Sequence, residues 1–326
     1  MKTKAFRIHK IGTPSVMKWQ TVDVPEPGSG QVLLRHTAVG LNLADTYRRR
    51  GIYKVELPSG MGNEAVGVIE VVGPGVRGLK AGDRVGYVGG GPLDAYSQRR
   101  VANAAALIPL PDSVNDRTAA AALLKGITAQ YLLRDSYRVK KGDTILVHAA
   151  AGGVGSIMCQ WANDIGATVI GIVSSQDKAR FAKRNGCYYT VVTKKAKFAK
   201  QVREITGGKG VDVVYDSVGR ATWDESLASL KLRGTMISFG SASGNPDPVN
   251  IAATGMKGSP YIARCALVNY ITSRRELLSR ARDLFRAIDR GAVKIRINQR
   301  YPLKDAAKGH RDIEARRTTG STVLIP

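Results

Sequence analysis

The chain has 326 residues, a length that suits two domains rather than one. Its hydrophobic content of 43% is ample for packed cores, and Lys125 interrupts the longest apolar stretch, so no membrane-spanning helix is expected. The formal net charge of +24 would draw anions, nucleic acid and anionic cofactors among them.

For that charge two readings stand. One is a nucleic-acid partner; the other is a solvated basic surface without a specific partner, since no aromatic-basic RNA-binding signature accompanies it. The opening residues, MKTKAFRIHKIGTP, carry no apolar h-region, so no secretory signal is expected. Cys159, Cys187 and Cys265 are far apart and form no CxxC pair, which reads as reduced, buried thiols in a cytoplasmic protein.

Residues 1 to 125 read as short strands split by turns. KAFRI, QVLLRHTAVGL, GVIEVVG and DRVGYV are rich in β-branched residues and bounded by Pro and Gly clusters such as PEPGSG. Residues 112–133 then carry helical periodicity, with Asp112 or Asn115 as the cap. From residue 144 strands alternate with helices. The strands are TILVHA, TVIGIVS, YYTVV, VDVVYDS and TMISFG; the helices are SIMCQWANDIG, DKARFAKRNG, KFAKQVREITGG and TWDESLASLKLRG. This alternation predicts a doubly wound α/β lobe with a parallel sheet beside a β-rich lobe. An amphipathic helix over 272–291 and a closing strand, STVLIP, complete the pattern.

The most specific local signal is TILVHAAAGGVGS. An apolar strand runs into a turn containing Gly152, Gly153, Val154 and Gly155, and a helix follows. Glycines let the backbone approach a pyrophosphate, and the helix start offers unpaired N–H groups. An NAD-preferring fold places an acid at the end of the next strand. Here Ser174 and Ser175 stand there, with Lys178 beyond, which points to NADPH; the alternative for Lys178 is a solvated helix-start lysine. YDSVG and FGSASG end the next two strands, and so Ser217, Phe239, Gly240 and Ser241 are expected along the cofactor, a plain strand-to-helix turn being the other reading of YDSVG. The reactive end of the dinucleotide should face the β-rich lobe, making the inter-lobe cleft the site of chemistry.

HAAAGGVG, LKGITAQYLL, YDSVGRATW, SFGSASG and the VLIP terminus together resemble the quinone oxidoreductases of the medium-chain dehydrogenase/reductase superfamily, the zeta-crystallin-like branch, over essentially the whole chain. The resemblance implies a GroES-like catalytic domain from residues 1–125 with a C-terminal return over 263–326, and a Rossmann NADPH-binding domain over 126–262. It implies a zinc-free, NADPH-dependent homodimer. Carried over by motif, GLNLADTY supplies Asn42, Asp45 and Tyr47 near the nicotinamide, and LKGIT supplies Lys125 and Thr128 near the ribose and diphosphate. IARCAL supplies Arg264 and Leu267, and EARRTTGS supplies Arg316 near the adenosine phosphate. Two departures stand out: Thr193 falls where relatives often carry a tyrosine, and Cys265 follows Arg264 where they tend to have proline.

Zinc-dependent relatives use Cys and His where this chain has Asn42 and Asn63, and a four-Cys cluster that has no counterpart near residue 90, so neither a catalytic nor a structural zinc site is expected. Without a Lewis acid the natural substrate is one that already accepts hydride, a quinone or an α,β-unsaturated carbonyl. Asn42 would fix the nicotinamide end. Tyr47 and Tyr53 would line the acceptor pocket and donate to developing oxyanion charge. Their alternatives are a packing residue and an exposed loop tyrosine. Glu64 reads as a hydrogen-bonded structural acid in preference to a base, and His148 as a backbone-fixing residue. His9, His36 and His310 have no nearby nucleophile pattern, and without a GxSxG or Cys–His arrangement hydrolase chemistry has no support. TMISFG reads as an edge strand on which two copies could join.

Overall fold

The strand Gln31–Leu41 organises the first part of the molecule. It pairs antiparallel with Glu64–Val72, Arg99–Asn103 and Ser321–Ile325. The computed structural model describes every residue from 1 to 326 except Gly90. The chain divides into two compact units: residues 1–125, 272–285 and 295–326 form the first, and residues 126–271 and 286–294 the second.

The first unit holds a mixed sheet in the order Ile297–Pro302, Ser321–Ile325, Gln31–Leu41, Glu64–Val72, Arg84–Val88 and Ile108–Pro109. Only its first two strands run parallel to each other. A separate antiparallel pair joins Lys2–Arg7 to Lys18–Asp23. Phe6, Leu34, Leu41, Ile69, Tyr96, Leu107 and Leu324 meet in one buried apolar cluster.

The second unit is built on a parallel sheet in the order Tyr189–Val192, Thr168–Val173, Thr144–His148, Val211–Asp216, Leu230–Ser238 and Tyr261–Arg264. Strands covered on both faces become continuously apolar, as Ile145, Leu146 and Val147 show. Leu146, Ile170, Val191, Phe198, Val214 and Met236 form the core. The strand order reverses between Thr144–His148 and Val211–Asp216. In a doubly wound sheet, ligands collect at the carboxyl ends of the strands at such a reversal.

Some sequence expectations need correction. The helix expected over TWDESLASLKLRG stops at Ala228, and Leu230–Ser238 is strand. Leu227 and Leu230 stand three apart, as on one face of a helix, but Leu230 pairs with Val211 and the ladder captures the segment. TMISFG is an inner strand because Tyr261–Arg264 pairs with it, and the edges of this sheet are Tyr189–Val192 and Tyr261–Arg264. Of the two candidate caps for the helix Asp116–Tyr131, the Asn115 side chain accepts from the Thr118 N–H at 2.9 Å.

Candidate functional site

At the strand-order reversal, Thr144–His148 passes into the glycine turn. Gly152 caps the helix Gly153–Ile165 in an extended conformation, and no side chain caps that helix. Its first-turn N–H groups are therefore available to an anion. Gly153 and Val154 are half-buried in that turn. A Cβ at Gly155 would lie 2.4 Å from the Ala149 carbonyl oxygen and 2.9 Å from Ala150 Cα, so only glycine lets the helix sit this close to the strand end.

At the end of the neighbouring strand, Ser174, Ser175 and Lys178 come together, all half-buried. Ser175 Oγ accepts from the Lys178 N–H at 3.3 Å and so serves as the helix cap. Asp177 is paired with Arg180 on the exposed face. The Thr193 N–H donates to the Val173 carbonyl at 2.9 Å, which sets Thr193 beside the serine pair.

The loop after Val211–Asp216 is shaped by Asp216, which is fully buried. One of its oxygens accepts from the N–H groups of Val218 and Gly219 at 2.7 and 2.9 Å; the other accepts from the Thr222 and Ser226 hydroxyls at 2.7 and 2.8 Å. Burial pushes the Asp216 carboxyl upward, but the polar partners around it outweigh this and hold it below the usual range. Because Ser226 donates to Asp216, His148 Nε2 must donate to Ser226 Oγ, at 2.9 Å. His148 thus supports a side chain rather than fixing backbone, and burial lowers its pKa.

Ser217 and Gly240 are brought into direct contact. A Cβ at Gly240 would lie 2.5 Å from the Ser217 carbonyl oxygen. Phe239 is anchored through its N–H to the Asp216 carbonyl. Arg264 fastens the same loop: Nη1 donates to Ser238 Oγ at 3.0 Å and to the Gly240 carbonyl at 2.9 Å, and Nη2 to Ser241 Oγ at 3.3 Å. Leu267 opens the short helical turn that follows, and Thr128 is buried in the helix Asp116–Tyr131.

In the first unit, Asn42 precedes the helix Leu43–Arg49 and is 4% exposed. Its Nδ2 donates to Glu64 Oε2 at 2.9 Å, and Lys125 Nζ reaches the same oxygen at 3.3 Å. Tyr47 is buried, with its ring edge-on to the half-buried Tyr53 at 5.3 Å. Arg316 is exposed, in the left-handed region at φ +57°, just past the helix Ala306–Glu314.

A second buried network surrounds Asp45. It accepts from the Asn42 N–H at 2.9 Å, from Asn63 Nδ2 at 3.0 Å and from the Tyr96 hydroxyl at 3.0 Å. Arg49 can only donate, so its Nε fixes His310 Nδ1 as an acceptor at 3.3 Å. His310 Nε2–H then donates to the Tyr96 oxygen at 3.1 Å, and the Tyr96 hydroxyl donates in turn to Asp45. Burial and the Arg49 charge push His310 down to about 3, which keeps it neutral in this relay. Burial pushes the Asp45 carboxyl up to about 6, against the pull of its donors. Sequence inspection missed this relay because its members lie far apart in the chain. The role of Asp216 was within reach, since Asp followed by Ser at a strand end favours a side-chain-closed turn.

Asn42 and Asn63 are both spoken for. Asn63 Nδ2 donates to Asp45 while its Oδ1 accepts from Arg48 at 2.5 Å. Among the described residues no group of three or more His, Cys, Asp or Glu side chains converges as a metal site would. Nor is any helix among them long and apolar enough to cross a membrane.

Comparison with known proteins gives this geometry a context. The alcohol dehydrogenase GroES-like domain profile matches residues 28–133, and the zinc-binding dehydrogenase profile matches residues 153–281. The chain is 46% identical over 324 residues to a quinone oxidoreductase of Pseudomonas aeruginosa, covering 99% of each. It is 46% identical over 326 residues to a 2-haloacrylate reductase of a Burkholderia species, covering 98% of each. The crystal structure of Escherichia coli quinone oxidoreductase complexed with NADPH superposes with a TM-score of 0.96 at 43% identity, covering 99% of this chain and 100% of that one. The chain belongs to the quinone oxidoreductases of the medium-chain dehydrogenase/reductase superfamily.

Proposed function

We propose that this protein is an NADPH-dependent, zinc-independent quinone oxidoreductase. The observation that carries the reading is a pairing at one end of the parallel sheet. An uncapped glycine turn lies at the strand-order reversal, and a serine pair stands where an NAD-preferring site has an acid. The residues fit the cofactor, because the helix Gly153–Ile165 begins without a side-chain cap, and Gly155 and Gly240 let that helix start and the Ser217 loop pack close to the strand ends. Gly152, Gly153 and Val154 would hold the pyrophosphate through N–H groups. Ser174 and Lys178 would take the 2′-phosphate, with Ser175 fixing the start of the Lys178 helix, and Arg316 would add a cation toward the adenosine phosphate.

Ser217, Phe239, Gly240 and Ser241 would line the path to the nicotinamide, with Arg264 tying that loop and Leu267 packing beyond it. Lys125 and Thr128 would contact the ribose and diphosphate. When bound, NADPH supplies the hydride. Asn42 orients the nicotinamide end, and its amide is held by Glu64. Tyr47 and Tyr53 shape the acceptor pocket, and a phenol there donates toward the oxyanion that forms as a quinone is reduced. The two asparagines that replace zinc ligands are engaged with carboxylates of their own, a donor set unsuited to zinc.

An activated alkene is the second acceptor class, favoured by the relative named as a 2-haloacrylate reductase. Consumption of NADPH with a quinone panel and an enone panel, compared as kcat/KM, tests both. No turnover with any quinone refutes the first reading.

A homodimer would join along the edge strand Tyr261–Arg264. Tyr261 and Ile262 are 66% and 42% exposed there, on an open ladder that a second copy could extend. Sedimentation of the wild type and of Ile262→Arg tests this: a dimer that becomes monomeric supports it. The three buried free thiols suit the reducing cytoplasm, where we place the protein.

A further inference from the structure

We propose that Glu64 is a positioning residue, which sets the orientation of both Asn42 and Lys125 toward the dinucleotide. The inference rests on the NADPH reading above and names what holds its nicotinamide end in register.

Glu64 opens the strand Glu64–Val72 and is wholly buried. Three donors from two parts of the chain converge on it. The Leu124 N–H donates to Oε1 at 2.7 Å, while Asn42 Nδ2 and Lys125 Nζ donate to Oε2 at 2.9 and 3.3 Å. An ionised carboxylate only accepts, so the Asn42 amide must turn its NH₂ toward Glu64. Its carbonyl oxygen then lies toward the first turn of the helix Leu43–Arg49, where Asn42 and Asp45 form a capping box, so both ends of the amide are fixed. The same oxygen anchors the Lys125 ammonium, so one group sets two ligand-facing side chains relative to each other.

The neighbouring sequence is shaped around this carboxylate. A Cβ at Gly40 would lie 2.1 Å from Glu64 Oε2 and 2.5 Å from the Ala120 carbonyl oxygen. Glycine at position 40 vacates the volume that the carboxylate fills. A residue serving only as a buried counter-ion for Lys125 would need neither the Asn42 contact nor the Leu124 N–H that locks its second oxygen.

The test is a double-mutant cycle on the full chain, read as the Kd for NADPH by fluorescence titration, with melting curves recorded without ligand. Glu64→Gln and Asn42→Ala are each expected to weaken NADPH about tenfold, the scale of a hydrogen bond to a charged group. The double variant is expected to stay near that loss, well short of the roughly hundredfold product that independent sites would give. Glu64→Asp keeps the charge but withdraws it by one methylene. It is expected to fold and still to weaken NADPH, which covers the case in which Glu64→Gln does not fold. A wild-type Kd in folded Glu64→Gln or Glu64→Asp overturns the inference, as does full multiplicativity in the double variant. Failure of the wild-type chain to bind NADPH removes the functional reading and this inference with it, whereas the other refuting results remove this inference alone.

Discussion

Gly40→Ala is the substitution whose consequence follows most directly from the packing. The backbone at Gly40 is not in the left-handed region, so alanine is conformationally acceptable there. On chain entropy alone it would stabilise by roughly 0.4–1 kcal/mol. The new methyl group, however, would meet Glu64 Oε2 at 2.1 Å and the Ala120 carbonyl at 2.5 Å. Neither neighbour can yield freely: Ala120 O belongs to helix backbone, and the carboxylate is held by Leu124, Asn42 and Lys125. Displacing Glu64 leaves the Lys125 ammonium, which is 5% exposed, without its counter-charge. Overpacking costs about 1–3 kcal/mol and a stranded buried charge about 3–5 kcal/mol. The two overlap, since the clash is relieved by the displacement, so a net loss of about 3–5 kcal/mol is expected. For a unit of this size that lowers the melting temperature by on the order of 10 °C. Calorimetric melting of the wild type and Gly40→Ala measures it. Gly255→Ala is the control, because a Cβ there meets nothing within 4 Å. A Gly40→Ala melting point within about 2 °C of wild type, less than 1 kcal/mol on this scale, would refute the packing argument.

Three further outcomes are expected. Gly155→Ala, whose methyl group would lie 2.4 Å from the Ala149 carbonyl, should lower stability by about 1–3 kcal/mol and raise the NADPH Kd; unchanged binding in a titration speaks against the cradle. Ser174→Asp should reverse cofactor preference, cutting the NADPH-to-NADH ratio of kcat/KM by on the order of a hundredfold through like-charge repulsion at the 2′-phosphate; an unchanged ratio shows that the phosphate lies elsewhere. Asp45 is pushed up from 3.8 to about 6, so between those values the folded state binds more protons than the unfolded chain. Stability therefore falls as pH rises through that window, by roughly 3 kcal/mol in all, and the loss is complete above it. Denaturant titrations from pH 4 to 7 should show that loss in the wild type relative to Asp45→Asn, and a pH-independent difference between the two contradicts the assignment.

What could be read from the sequence was local. The glycine turn, the serine pair and the alternation of strand and helix each lie within a short window, and each has a direct physical cause. The overrun of the helix after Trp223 shows the limit, because Leu227 and Leu230 satisfy a helical repeat and only pairing with Val211 decides for strand. TMISFG reads as an edge for a separate reason: Tyr261–Arg264, the strand that pairs with it, carries no strand signal of its own in the sequence. The Arg49–His310–Tyr96–Asp45 relay was invisible for a different reason: its donors and acceptors meet only after Gln31–Leu41 and Ser321–Ile325 have paired in one sheet. Glu64 was legible as a structural acid, but the convergence of Asn42, Leu124 and Lys125 on it belongs to the tertiary fold.

The central claim is that a dinucleotide carrying a 2′-phosphate lies across the turn at Gly152–Gly155. Isothermal titration of the full chain with NADPH and, separately, with NADH tests it most directly. The account predicts binding of one equivalent of NADPH per chain, at least tenfold tighter than NADH, about 1.4 kcal/mol. No detectable heat with NADPH, or tighter binding of NADH, would contradict it.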